Sequence, residues 1–180
     1  LGWLRALDPP YILYHGPLKA GEEFRVAMTI SGSLKRPEPQ ALKGAIDALA
    51  ARFGNRLITS QAVREQHAHT TTWLPTQPPD AVVMAKETAD IQDVVRICAK
   101  HRVPVIAFGT GTSLEGQVNA PAGGVCIDLR DMNRILEVNE RNAYVLVEPG
   151  VSYFELYRHI QEHGLKLWID TPDPGWGSLI

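Results

Sequence analysis

The segment Phe108-Gly109-Thr110-Gly111-Thr112-Ser113-Leu114-Glu115-Gly116 packs three glycines and three hydroxyl side chains into the eight positions from Gly109 to Gly116. Glycine has no Cβ, so backbone amides can turn toward a bound anion and approach it closely, while Thr110, Thr112 and Ser113 supply further donors. Phosphate is the ligand that suits such a loop. A Gly-rich hairpin connection without any ligand has the same composition. The spacing is neither the G-x-x-x-x-G-K-[ST] of a P-loop nor the G-x-G-x-x-G of a Rossmann turn, because Leu114 stands where the third Rossmann glycine would be.

Two later clusters resemble the first in chemistry. Glu148-Pro149-Gly150-Val151 closes a strand-like run and leads into a helix start, where helix-terminal amides face outward. An ordinary strand-to-helix turn is the alternative. The stretch Pro172 to Ser178 holds two prolines and two glycines, Gly177 among them, together with Asp173 and Ser178, and by composition alone it is a turn. His67 and His69 stand two residues apart in a polar segment, but no HExxH or Cys/His quartet accompanies them, so they are expected to be solvated and no metal is expected. Arg130, Asp131 and Arg134 are expected to form a surface ion-pair network.

The elements that must carry these loops follow from periodicity. Leu42, Ala45, Ile46, Leu49 and Phe53 predict an amphipathic helix ending at Gly54. Residues 55–79 are polar and turn-rich and read as loop. Ala81 to Met84 is a short apolar run. It precedes a helix in which Ile91, Val94, Val95 and Cys98 share a face, with Thr88 as N-cap. Val103 to Phe108 is the next apolar run, and strand, helix, strand at this spacing predicts a βαβ unit with parallel strands. The runs at Gly124 to Leu129, Ile135 to Val138 and Ala143 to Val147 are too close for helices between them, so that half of the sheet is expected to be largely antiparallel. Ser152 and Glu155 form an S-x-x-E capping box for a third helix, with Phe154, Tyr157 and Ile160 along one side and Gly164 as its stop. Leu167 to Ile169 is a final short run. The fold class is α+β, a mixed sheet flanked by helices.

Composition narrows the function. The chain has 180 residues, 44% hydrophobic and 21% charged, enough for one ordinary core. With 18 basic against 20 acidic residues and no concentration of Lys and Arg, nucleic acid is not an expected partner. No run is long and apolar enough to span a bilayer, so membrane association would be peripheral. Cys98 and Cys126 fall in buried-looking segments and are expected to be free thiols acting as small hydrophobes, consistent with a reducing compartment. Residues 1–39 contain a strand-like Phe24 to Ile30 and several prolines, lack the pattern of a transit peptide, and receive no function. Leu1 in place of methionine, and a Gly-rich stretch before Ile180 with no closing element, suggest part of a longer protein.

Taken in order, the three loops resemble the FAD-binding (PCMH-type) module of the vanillyl-alcohol-oxidase superfamily over about residues 40–180. The strings Pro104 to Gly116, Asp128-Leu129-Arg130-Asp131-Met132-Asn133-Arg134-Ile135-Leu136 and Glu148 to Val151 are most similar to the D-lactate dehydrogenase (cytochrome) and glycolate oxidase D-subunit branch. The resemblance implies a half-domain truncated on its carboxy-terminal side. It also implies that Phe108, Gly109, Thr110, Gly111, Thr112, Ser113 and Gly116 wrap the FAD diphosphate, with Glu148, Pro149, Gly150, Val151, Asp173, Gly177 and Ser178 lining the adenosine and ribityl portions. Relatives that tether FAD through the first loop use a histidine there, and none lies between Phe108 and Gly124, so the FAD is expected to be non-covalent.

The implied reaction is hydride transfer from a 2-hydroxy acid such as D-lactate or glycolate to flavin, with electrons passed to an unidentified acceptor. The resemblance implies that the substrate carboxylate clamp and the proton-accepting histidine come from a carboxy-terminal substrate domain and from the later part of the flavin module, so no position among these 180 is expected to be catalytic. Trp176-Gly177-Ser178 is closer to the relatives that oxidise phenols, which makes a phenolic substrate the alternative, beside a non-catalytic remnant of the fold. The compartment expected is the cytoplasm or a membrane periphery, or mitochondria for a eukaryotic source.

Overall fold

The computed structural model describes residues 35–69, 72 and 74–169. The strand-like Phe24 to Ile30 and the cluster Pro172 to Ser178 therefore lie outside the described residues. Helix α1 (Pro39–Phe53) starts with proline, whose missing N–H leaves nothing unsatisfied at that position, and ends at Gly54 with a positive φ of 55°. Ala45, Leu49 and Phe53 are its buried residues. A 3-10 turn (Gly54–Arg56), strand β1 (Leu57–Ile58) and helix α2 (Gln61–Gln66) follow. The segment 55–79 is thus not simply loop: β1 pairs antiparallel with β2 (Ala81–Met84), and tertiary pairing orders a strand too short to show a period.

Helix α3 (Thr88–His101) begins one residue earlier than expected, with Glu87 as its N-cap and Thr88 already helical. In place of a side-chain cap, the Asp90 carboxylate accepts the Lys86 amide at 3.0 Å. Val94 and Cys98 are buried, whereas Val95 is exposed and Ile97 takes its place against the core.

Strands β3 (Val105–Phe108) and β4 (Val125–Asp128) complete a four-stranded sheet of order β1-β2-β4-β3, in which β4 runs parallel to both β2 and β3. The antiparallel expectation fails at β4. Adjacent parallel strands need a return of a dozen or more residues, usually a helix, and here residues 109–124 make that return as loop. The candidate anion loop is therefore part of the crossover itself. Strands β5 (Ile135–Asn139) and β6 (Tyr144–Val147) are antiparallel as expected, but they form a separate two-stranded sheet.

Residues Ala45, Leu49, Phe53, Val94 and Cys98 pack from α1 and α3 onto one face of the larger sheet, against Val83, Val125 and Ile127. Burying each large apolar side chain contributes about 2 kcal/mol. On the opposite face Val82, Phe108 and Cys126 meet Val118 of the crossover and Val63 of α2. Helix α4 (Tyr153–Glu162) covers the hairpin through Leu156 and Ile160, while Phe154 is exposed. The Ser152–Glu155 capping box is present: Ser152 Oγ accepts the Glu155 amide at 3.2 Å, and Glu155 Oε2 accepts the Ser152 amide at 2.9 Å. No helix among the described residues is long and apolar enough to cross a membrane.

Candidate cofactor-binding site

The loop Gly109 to Gly116 leaves the sheet at the carboxyl end of β3, beside the carboxyl end of its parallel neighbour β4, through the register pair Phe108 and Asp128. Ligand crevices of parallel sheets open at that end. Gly111 has φ 74°, and a Cβ there would stand 3.1 Å from the Phe108 ring and 3.5 Å from the His69 carbonyl. Any other residue would be strained and would push the loop off Phe108. Ser113 Oγ bonds the Gln117 side chain, and the Glu115 amide donates to Ser113 Oγ at 3.4 Å. Among the described residues, none accepts the backbone amides of Thr110, Gly111 or Leu114. No described residue competes with an external anion for those donors.

Behind the loop lies a buried charge cluster. Asp128 ends β4 with its side chain 0% exposed, and His67, expected to be solvated, is buried against it. His67 Nε2 lies 2.9 Å from Asp128 Oδ2, and Nδ1 lies 2.7 Å from the Val63 carbonyl oxygen. Both neighbours offer acceptor oxygens, and the two contacts fix the orientation of the ring. Its face packs on Phe108 with ring centres 4.5 Å apart. Arg130 reaches back to the same carboxylate, Nε at 3.0 Å from each oxygen and Nη2 at 2.5 Å from Oδ2. Burial alone raises the Asp128 pKa, but the hydrogen bonds from His67 and Arg130 more than offset it and hold the carboxyl at about 2. Arg130 is thus not part of a plain surface network. His69 is exposed, as expected.

The turn Glu148 to Val151 joins this region from below. A Cβ on Gly150 would fall 2.7 Å from the Met132 carbonyl and 2.8 Å from that of Arg130, so only glycine lets the two turns meet. Its own donors are used internally: the Glu148 amide bonds the Arg134 carbonyl, that of Gly150 the Met132 carbonyl and that of Val151 the Glu148 carbonyl. The Glu148 carboxylate accepts the Arg134 amide at 2.8 Å and its guanidinium at 2.6 and 2.9 Å, which lowers its pKa. The structure brings together the first loop, the turn after β4 and the Glu148 turn. Asp173, Gly177 and Ser178 lie outside the described residues.

Sequence reasoning missed three residues here. Asp128 was legible as a carboxylate ending an apolar run, but neither His67 nor Asn119 carries a local signal, because each is brought in by the chain's return. Asn119 is buried and donates to the Pro75 carbonyl at 3.5 Å, while its Oδ1 has no partner among the described residues. Elsewhere, a cleft of about 520 Å³ opens between β5 and α4, lined in part by Asn133, Arg158 and Glu162, and no residue of the glycine loop lines it. No group of His, Cys, Asp or Glu among the described residues could hold a metal.

The loop's residues fit the flavin cofactor by two observations. The Gly111 cradle would be filled by a Cβ, and Asn119 Oδ1 is a buried acceptor without a donor among the described residues. The family described as FAD binding domain matches residues 79–180. Over 149 residues the chain is 35% identical to the Danio rerio protein named "Probable D-lactate dehydrogenase, mitochondrial", covering 81% of this chain and 29% of that one. It is 38% identical over 96 residues to glycolate oxidase subunit GlcD of Bacillus subtilis, 53% of this chain and 20% of that one. The solved structure of 4-ethylphenol oxidase from Gulosibacter chungangensis, an isoeugenol complex, superposes with a TM-score of 0.71 at 32% identity, over 79% of this chain and 28% of that one. The chain spans less than a third of the length of these relatives. With the family matched over more than half of its length and the glycine loop set at the carboxyl end of parallel strands, the chain belongs to the FAD binding domain family of PCMH-type flavoproteins.

Proposed function

We propose that the protein carrying this chain oxidises a 2-hydroxy acid such as D-lactate or glycolate, and that residues 40–180 supply part of its flavin module while residues 1–39 have no assigned role. The observation that carries the reading is the loop Gly109 to Gly116, with amides at Thr110, Gly111 and Leu114 that no described residue accepts and a Gly111 whose positive φ and close contact with Phe108 strain any side chain. Similarity to proteins named D-lactate dehydrogenase and glycolate oxidase supports the substrate class.

FAD, when bound, accepts the hydride taken from substrate. This chain's residues bind and orient it. Phe108, Gly109, Thr110, Gly111, Thr112, Ser113 and Gly116 hold the diphosphate, and Glu148, Pro149, Gly150 and Val151 with Asp173, Gly177 and Ser178 line the remainder. Because the Glu148 to Val151 amides are already bonded, that turn contributes surface and shape rather than donors. This loop makes no covalent bond to the flavin, since no histidine stands between Phe108 and Gly124. A flavin-peptide mass adduct mapping to residues 104–124 would sink that point. The electron acceptor is a separate partner, and for a eukaryotic source the compartment is the mitochondrion.

The intact gene product is expected to purify with flavin absorbance and to reduce a dye acceptor with D-lactate or glycolate. The Gly111→Val variant is expected to lose the flavin. A second reading keeps the FAD and exchanges the acid for a phenol. It is favoured by the likeness to 4-ethylphenol oxidase and by Trp176-Gly177-Ser178. Turnover of 4-alkylphenols without turnover of 2-hydroxy acids would select it.

A further inference from the structure

An exposed arginine ordinarily samples many rotamers and gives up side-chain entropy on binding. Arg130 is arranged differently. Its side chain is 41% exposed, yet Nε and Nη2 are both fixed on a carboxylate that is 0% exposed, and the Arg130 amide bonds the same Asp128 at 3.0 Å. Asp128 is held in turn by His67, whose other nitrogen is anchored on the Val63 carbonyl. The edge of the guanidinium left over, Nη1, has no acceptor among the described residues.

The position of that edge gives it a task. Arg130 Cζ lies 6.0 Å from the centre of the Phe108 ring, the ring that Gly111 abuts from the loop. Gly150 packs beneath the Arg130 carbonyl and fixes the turn from the other side. The Arg130 guanidinium is the permanently charged cation of this cluster, and it stands beside the Phe108 ring that the loop abuts. Glu115 and Asp131 oppose it, but both are exposed and water and salt screen them. A guanidinium held as a planar fork matches phosphate oxygens in geometry as well as charge.

We propose that Arg130 is a ligand of the cofactor's diphosphate and that His67, acting through Asp128, is the residue that positions it. This rests on the reading that the Gly109 to Gly116 loop holds the FAD diphosphate. The test is titration of the apo form of the intact gene product with FAD, followed by flavin fluorescence at several salt concentrations, with thermal melts to confirm that each variant folds. Arg130→Gln is expected to weaken FAD about ten-fold, the effect of one charge-assisted hydrogen bond, and to flatten the dependence of affinity on salt. Arg130→Lys is expected to restore the salt dependence but only part of the affinity, and His67→Gln to reproduce part of the Arg130→Gln loss. An Arg130→Gln protein with unchanged affinity overturns the proposal, as does lowered affinity with an unchanged salt dependence, which marks a merely structural role. If Gly111→Val binds FAD as tightly as the parent, the loop reading fails and the proposal fails with it. If only the Arg130 and His67 variants are silent, the loop reading stands alone.

Discussion

Asp128 concentrates more interaction than any other described side chain: two oxygens, no water, one imidazole and one guanidinium. Removing its charge leaves the Arg130 guanidinium and the His67 ring against a weaker acceptor, so Asp128→Asn is expected to destabilise the fold by about 3 kcal/mol, as for other broken buried ion pairs. Urea unfolding at pH 7 measures it. The depressed pKa also fixes a pH dependence. The unfolded carboxyl titrates at 3.8 and the folded one at about 2, so the stabilisation is complete above pH 3.8 and is lost as pH falls toward 2. That linkage is worth about 2 kcal/mol. Acid unfolding of the wild-type chain is therefore expected to steepen between these two values, and Asp128→Asn to lack that component.

Two polar contacts contribute at the ends of elements. Arg56, in the 3-10 turn after α1, bonds Asp90 at the start of α3 at 2.5 and 3.1 Å and tethers the two helices that cover one face of the sheet. The Asp90 side chain is 2% exposed, and its pKa is lowered chiefly by the Arg56 hydrogen bond. Arg56→Met would leave a buried carboxylate with the Lys86 amide at 3.0 Å and the more distant Arg52 guanidinium at 3.7 Å, and a loss of about 2 kcal/mol is expected in a thermal melt. Helix α4 depends on Ser152 for its start. Ser152→Ala is expected to cost about 1 kcal/mol, read as a lower denaturant midpoint with an unchanged slope. Both contacts differ in legibility: the capping box is a local spacing seen in the sequence, whereas Arg56 and Asp90 stand far apart in the chain and nothing local pairs them.

At the scale of the molecule, the larger sheet is covered on both faces, and a free cysteine reports on each. Cys98 points from α3 into the helix-covered face, and Cys126 lies on the opposite face beside Phe108. Burial raises their pKa values to about 11 and about 12, so neither is a thiolate near neutral pH. Neither is expected to react with a thiol-exchange reagent at pH 8 in the native protein. If the two faces open as one cooperative unit, both become reactive at the same denaturant concentration. Labelling of Cys126 ahead of Cys98 would show that the crossover-covered face opens first.

The sequence by itself determined what rests on neighbours along the chain: the helix over Leu42 to Phe53, the Ser152 capping box, the apolar runs of the strands, and the glycines and hydroxyls of the first loop. Those are local preferences of dihedral, period and hydrogen bonding, and they suffice to mark the loop as anion-friendly and to support its resemblance to a flavin module. The tertiary structure decided the rest. It laid β4 parallel between β2 and β3 because residues 109–124 return the chain without a helix. It drew His67 out of a polar segment into contact with Asp128, and it packed Gly150 under the Arg130 turn. Each of these joins residues distant in sequence, where only burial and the pairing of charge select the partner, so Arg130 could be placed beside the loop only once the chain had folded.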